Sequence, residues 1–253
     1  MNERDEVLNA EGWDDRMADG NRFFRELIWP ATKVLLSLRE GDRVLDVACG
    51  NGVTARAMAS LGAHVTAFDF SPSMIERARP RGVDRIDYSV ADATSEQDLL
   101  AYESGYDCVH CGMALFDIAD VGPFFEVMPR LLKAHGRLVF SLMHLCFNNP
   151  SIRFVGERYD DSGERYSMQV ERYMSSYSQR GLSKVGLKPH LYFHRSLTDL
   201  LQQGFQAGLV ISGFEERAFS AEGEPRSKPL SWGPTFSEIP AVVVMRMEPG
   251  RTL

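Results

Sequence analysis

The sequence lacks the features that mark secreted, membrane-spanning and nucleic-acid-binding proteins. Four cysteines in 253 residues are too few for a disulfide framework. No apolar run approaches the roughly 20 residues that cross a bilayer. The acidic N-terminus lacks the basic and then apolar pattern of a signal peptide. The 28 basic residues are outnumbered by 35 acidic ones, and the net charge of −7 provides no overall attraction to nucleic acid or anionic membrane.

The composition is otherwise that of an ordinary globular protein, with 44% hydrophobic and 25% charged residues and no internal repeat. A length of 253 residues suits one α/β domain with insertions better than two full domains. We therefore expect a cytoplasmic protein, monomeric or homodimeric, that has neither a membrane nor nucleic acid as a partner.

Cys108 and Cys111 have the spacing of half a zinc site, but no second Cys/His pair completes it. The segment around them predicts a strand, in which side chains three residues apart point to opposite faces of the sheet. The sequence therefore predicts two buried thiols and no metal site.

One stretch, residues 43–55, organises the chain. Its first apolar residues are typical of a strand buried on both faces, and they are followed by the turn Gly50-Asn51-Gly52 and a helix-compatible segment, 53–61. A strand, a glycine turn and a helix in this order aim backbone N–H groups and a helix N-terminus at a ligand. Because neither glycine carries a Cβ, the backbone can approach that ligand closely.

The glycine turn alone leaves the ligand open, because Gly50-x-Gly52-x-x-Ala55 also satisfies the dinucleotide-binding fingerprint. Asp46 argues against a dinucleotide as that ligand. It places a carboxylate inside the strand, where it would repel a pyrophosphate and favour a cationic ligand. The pattern Asp-x-x-x-Gly-x-Gly at the end of a first strand resembles the class I S-adenosylmethionine-dependent methyltransferases, whose cofactor carries a sulfonium and an ammonium group.

Two more carboxylates follow at predicted strand ends. A second strand, 64–68, ends at Asp69, which lies 19 residues after Gly50. An acidic residue at roughly this separation holds ribose hydroxyls, because each carboxylate oxygen can accept one hydrogen bond. A third strand, 86–90, is followed by Asp92, whose position resembles that of the acidic residue that methyltransferases aim at the adenine amino group. Any one of these carboxylates alone could be a plain turn residue, so the prediction depends on the series.

The resemblance implies both the fold and the cofactor. It implies a Rossmann-like three-layer α/β sandwich with a seven-stranded, mostly parallel sheet whose last strand is antiparallel, plus an inserted cap. It also implies S-adenosylmethionine as the cofactor, with its ammonium held by backbone carbonyls after the fourth strand, 106–111. The cofactor-binding residues that it implies are Asp46, Ala48, Gly50, Asn51, Gly52, Asp69, Phe70, Met74, Asp92, Ala93, Cys111 and Met113.

The rest of the core continues the alternation of strands and helices. Pro30 predicts a kink or a break in an N-terminal helix over 21–38, and Pro129 predicts a bent or broken helix over 123–134 that Gly136 ends. The other predicted elements are a fifth strand over 137–143, a helix capped by Ser196, and strands over 209–219 and 239–247.

Three regions are predicted along the chain. Residues 40–145 and 194–253 form the methyltransferase core. Residues 1–39 form a helical segment, which with Trp13 is either a lid over the cofactor or a helix packed on the sheet edge. Residues 146–193 interrupt the alternation and are rich in aromatic side chains, which predicts a cap carrying the acceptor pocket or else a hairpin covering the sheet edge.

The sequence thus predicts an S-adenosylmethionine-dependent methyltransferase that acts on a small-molecule acceptor by direct in-line transfer. His144 is the first candidate for a general base, followed by His194 and His190, although structural histidines are at least as common. An enzyme with the same core that acts on tRNA or protein, a non-catalytic binding module and a dinucleotide-dependent reductase remain alternatives. The methylated atom is left open.

Overall fold

A computed structural model describes residues 10–159, 163–181, 190–222 and 229–250 of the chain. The strands are β1 (Arg43–Val47), β2 (His64–Asp69), β3 (Ile86–Val90), β4 (Tyr106–Gly112), β5 (Leu132–Met143), β6 (Arg153–Tyr159), β7 (Gly163–Gln169), β8 (Tyr177–Gly181), β9 (His190–His194), β10 (Leu209–Arg217) and β11 (Val242–Pro249). The helices are α1 (Ala10–Met17), α2 (Trp29–Leu36), α3 (Val53–Ala59), α4 (Pro72–Ala78), α5 (Glu96–Leu100), α6 (Gly122–Leu131) and α7 (Leu197–Gln206).

The central sheet has seven strands in the order β3-β2-β1-β4-β5-β11-β10. Strands β1 to β5 pair in parallel, whereas β11 runs antiparallel to both β5 and β10. The carboxyl ends of β1, β2, β3 and β4 therefore meet at one edge, where open α/β sheets bind ligands. This topology confirms the predicted seven-stranded sheet with an antiparallel last strand.

Apolar side chains fill the layers on both sides of the sheet. Leu45 and Val47 of β1 belong to one buried cluster, together with side chains from α6 and α7, whereas Val44 belongs to a second cluster with side chains from α2 and α3. Strand β1 is therefore covered by helices on both faces, which explains why its sequence reads as a nearly continuous apolar run. The three-layer arrangement agrees with the prediction.

The two prolines in helices act differently from each other. Pro30 lies at the start of α2, and a π-helical turn, Phe24–Ile28, leads directly into that helix. The predicted break is thus a local change of helix type. Helix α6 contains Pro129 in its last turn and ends at Leu131, earlier than predicted.

Gly136 does not end α6, contrary to the prediction, because the chain has already joined the sheet. Leu132 pairs with Tyr106 of β4, and the register between the two strands shifts before Arg137. A Cβ at Gly136 would lie 2.9 Å from the Tyr106 carbonyl oxygen. The glycine is therefore required for the close approach of β5 to β4.

The predicted cap contains two antiparallel hairpins. Strands β6 and β7 form one, and β8 and β9 form the other; each is a two-stranded sheet of its own. No helix in the described parts of the chain is long and apolar enough to cross a membrane.

Candidate active site

The glycine turn connects the end of β1 to the start of α3. Ala48, Gly50 and Gly52 have φ angles of +54°, +56° and +77°, the left-handed region that glycine adopts freely and alanine does not. A Cβ at Gly52 would collide with the hydroxyl group of Tyr88, whereas a Cβ at Gly50 would meet the Trp13 ring at an ordinary 3.9 Å. Gly52 is therefore required by the Tyr88 side chain, while Gly50 is required by its backbone conformation.

Asp69 ends β2 beside this turn. Its two carboxylate oxygens accept hydrogen bonds from the N–H groups of Gly50 and Ser71, each at 2.9 Å. Burial raises the pKa of this carboxyl group, the two N–H groups oppose that rise, and the Asp46 charge adds to it. Because each oxygen keeps a further lone pair, the oriented carboxylate can still accept hydrogen bonds from two hydroxyl groups.

Asp46 lies in β1 opposite His110 of β4. Its Oδ1 is 2.7 Å from His110 Nδ1, and both side chains are 1% exposed. Among the described residues, neither Asp46 Oδ2 nor His110 Nε2 has a hydrogen-bond partner. A buried polar atom without a partner is costly, and a cationic group at this edge of the sheet would reduce that cost. The side chains present therefore suit a cofactor that carries a sulfonium and an ammonium group better than a pyrophosphate.

Asp92 reaches the same edge of the sheet from the end of β3. Its Oδ1 accepts hydrogen bonds from the Thr94 N–H at 2.8 Å and the Thr94 hydroxyl at 2.7 Å. Its own N–H donates to Asp98 Oδ2 at 2.9 Å. These bonds fix the loop in which Ala93 is buried. The three acidic strand ends predicted from the sequence are thus brought to one edge.

Asn51, Phe70 and Met74 take different positions around this edge. Asn51 is buried, and its side-chain amide donates to Asp14 of α1 and to Ala18 just after that helix. Met74 is buried in α4, where its N–H donates to the Ser71 hydroxyl that caps the helix. Phe70 is half-buried. The side chain of Asn51 and the backbone of Met74 therefore hold the surrounding structure in place, whereas the resemblance implies that both residues bind the cofactor.

The segment after β4 lies beside the same edge of the sheet. Cys111 is buried, which raises the pKa of its thiol, and Met113, at φ +56°, donates its N–H to the Ser141 carbonyl at 2.9 Å. Asp117 is exposed, yet desolvation by the surrounding protein raises the pKa of its carboxyl group well above the usual value, and the Asp69 charge adds to the rise. The Asp117 and Asp69 carboxyl groups are therefore close enough to interact electrostatically.

Strand β9 lies against the segment after β4. The Phe193 N–H donates to a carbonyl of the segment after β4 at 2.7 Å, and the Arg195 guanidinium donates to three carbonyls within residues 115–119. Burial and the Asp117 charge raise the pKa of Tyr192, which points away from the face that Phe193 occupies. Strand β9 and Arg195 are thus attached to the segment that follows β4.

The first candidate base, His144, uses both ring nitrogens within the protein. Nδ1 accepts a hydrogen bond from the Cys146 N–H at 3.2 Å, and Nε2 lies 2.7 Å from Glu216 Oε1. Burial lowers the pKa of His144, and the Glu216 carboxylate opposes that shift. No ring nitrogen is left for an acceptor molecule, so this geometry does not support a role as general base.

His194 has a different environment. Its Nε2 donates to the Tyr173 carbonyl at 2.8 Å, which leaves Nδ1 as an unprotonated acceptor. Nδ1 has no partner among the described residues, and the Tyr173 and Tyr177 rings flank the imidazole at 6.0 and 4.9 Å between centroids. His194 therefore keeps one buried ring nitrogen without a partner among the described residues, whereas His144 does not. The side chain of His190 lies outside the described residues.

The cysteine pair follows the prediction for a strand. Cys108 and Cys111 are both fully buried and belong to different apolar clusters on the two sides of the sheet. Burial raises the pKa of Cys108 to about 12. The described residues contain no group of three or more His, Cys, Asp or Glu side chains that could hold a metal ion.

Comparison with known proteins agrees with this geometry. The family described as "Methyltransferase domain" matches residues 45–140, which contain the glycine turn, Asp69 and Asp92. This match, over residues 45–140, confirms the resemblance to the class I S-adenosylmethionine-dependent methyltransferases. The match covers β2, β3 and β4 and most of β1 and β5, so it includes the whole edge at which the acidic residues come together.

Curated relatives overlap the same core. A ubiquinone biosynthesis O-methyltransferase of Xanthomonas oryzae pv. oryzae (strain PXO99A) is 37% identical over 160 residues, which cover 60% of this chain and 64% of the relative. A demethylmenaquinone methyltransferase of Clavibacter sepedonicus is 37% identical over 123 residues, which cover 47% of each chain. The chain therefore spans less than two thirds of the length of these relatives.

Solved structures share the fold of this chain. An S-adenosylmethionine-dependent methyltransferase from Mesorhizobium loti has a TM-score of 0.66 at 24% identity and covers 87% of this chain and 96% of its own. The glycopeptide N-methyltransferase MtfA, complexed with S-adenosylmethionine, has a TM-score of 0.55 at 13% identity, with 86% and 93% covered. These likenesses confirm the predicted fold, and the family confirms the predicted class of cofactor.

Three residues of the site were missed by the sequence analysis. His110 was considered only as a neighbour of the cysteine pair, although its alternation with Gly112 along β4 places both on one face. Asp14 carried no recognisable signal in the polar N-terminal stretch. Asp117 lies beyond the strand end, in a loop whose path the sequence does not define.

Proposed function

We propose that this protein transfers the methyl group of S-adenosylmethionine to a hydroxyl group of a small molecule. The proposal rests on the orientation of Asp69, whose two oxygens are held by backbone N–H groups beside the glycine turn. A carboxylate fixed in this way is suited to the two ribose hydroxyls, because it requires no reorganisation when they bind.

The order of the strands supports the assignment of the other cofactor contacts. Along the sheet edge the order is β4, β1, β2 and β3. In our proposal the carbonyls after β4 hold the ammonium, Asp46 faces the cationic methionine part, Asp69 binds the ribose and Asp92 accepts from the adenine amino group. Methionine, ribose and adenine follow one another in the same order in the cofactor, so one extended ligand can meet all four positions.

A small hydroxylated acceptor is supported by the relatives and by the charge of the chain. The Xanthomonas oryzae relative is named as an O-methyltransferase of ubiquinone biosynthesis. The net charge of −7 provides no basic field that would attract tRNA. We propose that the acceptor binds between the segment after β4 and the predicted cap, 146–193. In the same proposal, residues 40–145 and 194–253 form the core, and residues 1–39 lie beside the cofactor.

Transfer then requires mainly positioning and one proton acceptor. The cofactor supplies a methyl group already activated by the positive sulfur. His194 Nδ1 would take the proton that the acceptor hydroxyl loses when it receives that methyl group. The Tyr173 carbonyl, which accepts from Nε2, holds the imidazole in the tautomer that leaves Nδ1 free and stabilises the imidazolium that results.

Transfer of a tritium-labelled methyl group tests the proposal. Catechol serves as the hydroxyl probe, aniline as the amine probe and bulk tRNA as the macromolecular probe. We expect label in an extractable product of catechol and none on tRNA. Label on aniline alone would contradict oxygen as the acceptor atom, and label on tRNA alone would contradict a small-molecule acceptor.

A further inference from the structure

We propose that Trp13 of α1 forms part of the cofactor-binding surface and that Asp14 is the positioning residue that holds it there. This inference rests on the proposed function, since it concerns the cofactor site described above. In this proposal α1 is not a mobile lid. It is a fixed side of the cofactor site, already in place before the cofactor binds.

Asp14 fastens α1 to the core through a buried charge network. Its carboxylate is 2% exposed and accepts from both terminal nitrogens of Arg81, at 2.5 and 2.9 Å. It also accepts from Arg77 at 3.4 Å and from Asn51 Nδ2 at 2.8 Å. The hydrogen bond from Arg81 lowers the pKa of Asp14 to about 2 in spite of burial, so the carboxylate is charged at neutral pH. Moving α1 away would break all these hydrogen bonds and separate Asp14 from the two arginines, whose side chains are partly exposed.

Asn51 connects this network to the glycine turn. Its side-chain amide donates to Asp14 and, at 3.1 Å, to the Ala18 carbonyl, so both contacts lie on or next to α1. Its Oδ1 accepts from the Val53 N–H at 3.3 Å, and its backbone carbonyl accepts from Arg56 at 2.8 Å. The residue between the two glycines is therefore tied to α1 on one side and to α3 on the other. Displacing α1 would leave a buried amide without its acceptors.

Trp13 is placed over the turn by its neighbour in the helix. Its ring lies 3.9 Å from the point that a Cβ of Gly50 would occupy. The indole is half-buried and packs against the second apolar cluster, so part of its surface is covered and part faces solvent. The Gly50 N–H donates to Asp69, so the indole stands beside the proposed ribose contact.

The chemistry of an indole suits this position. Tryptophan offers the most favourable ring face for a cation and a broad surface for a planar base, and the cofactor contains both. A side of the site that is fixed in advance avoids the entropic cost of ordering a mobile lid when the ligand binds.

Tryptophan fluorescence during titration with S-adenosylhomocysteine tests the position of Trp13. The chain contains three tryptophans, so the emission of Trp13 must be distinguished from that of the others by substitution. We expect Trp13→Phe to lose most of the ligand-induced change in emission and Trp29→Phe, on α2, to keep it. Trp13→Ala should weaken binding about tenfold, the scale of one lost aromatic contact.

Substitution of Asp14 tests its positioning role. Asp14→Ala should raise the Kd of S-adenosylhomocysteine about tenfold while kcat at saturating cofactor stays near the wild-type value, because this side of the site acts in binding. Asp14→Asn keeps an acceptor for Asn51 and should restore part of the affinity. The exposed neighbour on the same helix supplies the control Asp15→Ala, which should bind as the wild type does. All affinities are measured well below the unfolding transition, so that lost stability is not mistaken for lost affinity.

Two results would overturn the inference and leave the proposed function standing. One is wild-type protein that binds S-adenosylhomocysteine by calorimetry with no change in Trp13 emission. The other is a Kd within twofold of wild type in both Trp13→Ala and Asp14→Ala. Wild-type protein that binds no S-adenosylhomocysteine at all would overturn the proposed function and the inference together.

Discussion

Replacing His194 with glutamine separates its proposed chemical role from its structural one. The Nε2–H of His194 donates to the Tyr173 carbonyl at 2.8 Å, and a glutamine amide nitrogen can reach the same point. Glutamine has no acceptor atom where Nδ1 lies, and Nδ1 is the atom without a partner among the described residues. The substitution therefore keeps the structural hydrogen bond and removes the proposed proton acceptor.

The expected effect on turnover is large and the expected effect on stability is small. Loss of a general base lowers kcat by about 10²–10⁴-fold. Stability should change little in His194→Gln, whereas His194→Ala leaves the Tyr173 carbonyl without its donor and should cost about 1–3 kcal/mol of unfolding free energy. Affinity for S-adenosylhomocysteine should stay near wild type, because the Asp69 and Gly50 contacts do not involve His194.

Steady-state rates with catechol and 4-nitrocatechol provide the deciding assay. The nitro group makes the hydroxyl more acidic, so an acceptor that is already ionised needs no base and the loss in His194→Gln should shrink. His144→Gln is the matched control, because both nitrogens of that buried histidine are in use within the protein. A kcat within about threefold of wild type, or an equal loss with both acceptors, would refute the role of His194.

The cofactor site and the fold offer three simpler perturbations. Asp69→Ala should weaken S-adenosylhomocysteine binding by about 1.5–3 kcal/mol, the scale for a lost charged hydrogen-bond partner, and an unchanged calorimetric affinity would contradict the ribose assignment. Ala48→Gly should raise the unfolding free energy in denaturant by about 0.5–1 kcal/mol. Ala48 has a φ of +54°, and the strain of this conformation in an L-residue exceeds the entropic cost of the more flexible glycine. A less stable variant would contradict this. Burial lowers the pKa of His144, so the unfolded chain takes up a proton first and stability should fall as the pH drops below about 6.5; His144→Gln should reduce this fall in Tm, and an unchanged pH dependence would disprove it.

The cofactor side of the site was predictable because its signals are local. Each of Asp69 and Asp92 directly follows or ends a short strand, and the glycine turn directly follows another. Parallel strands bring their carboxyl ends to one edge regardless of the details of packing. Strand periodicity and spacing were therefore enough to bring these residues together, whereas the antiparallel last strand was predicted only from the resemblance.

Contacts between distant segments were not predictable. The pair Asp46 and His110 depends on the register between β1 and β4, and the bond from Asn51 to Asp14 joins residues 37 positions apart. The position of His144 at a strand end was predicted, but its partner Glu216 lies 72 residues away on β10. Hydrogen-bond partners of this kind are set by tertiary packing, which a single sequence does not define.

Isothermal titration calorimetry of the wild-type protein with S-adenosylhomocysteine and with NADH tests the central claim most directly. That claim is that the glycine turn, Asp46 and Asp69 form a site for an S-adenosyl cofactor. Saturable binding of one S-adenosylhomocysteine per chain is expected, with no heat of binding from NADH, because the buried Asp46 carboxylate repels a pyrophosphate. Binding of NADH without binding of S-adenosylhomocysteine would contradict the account.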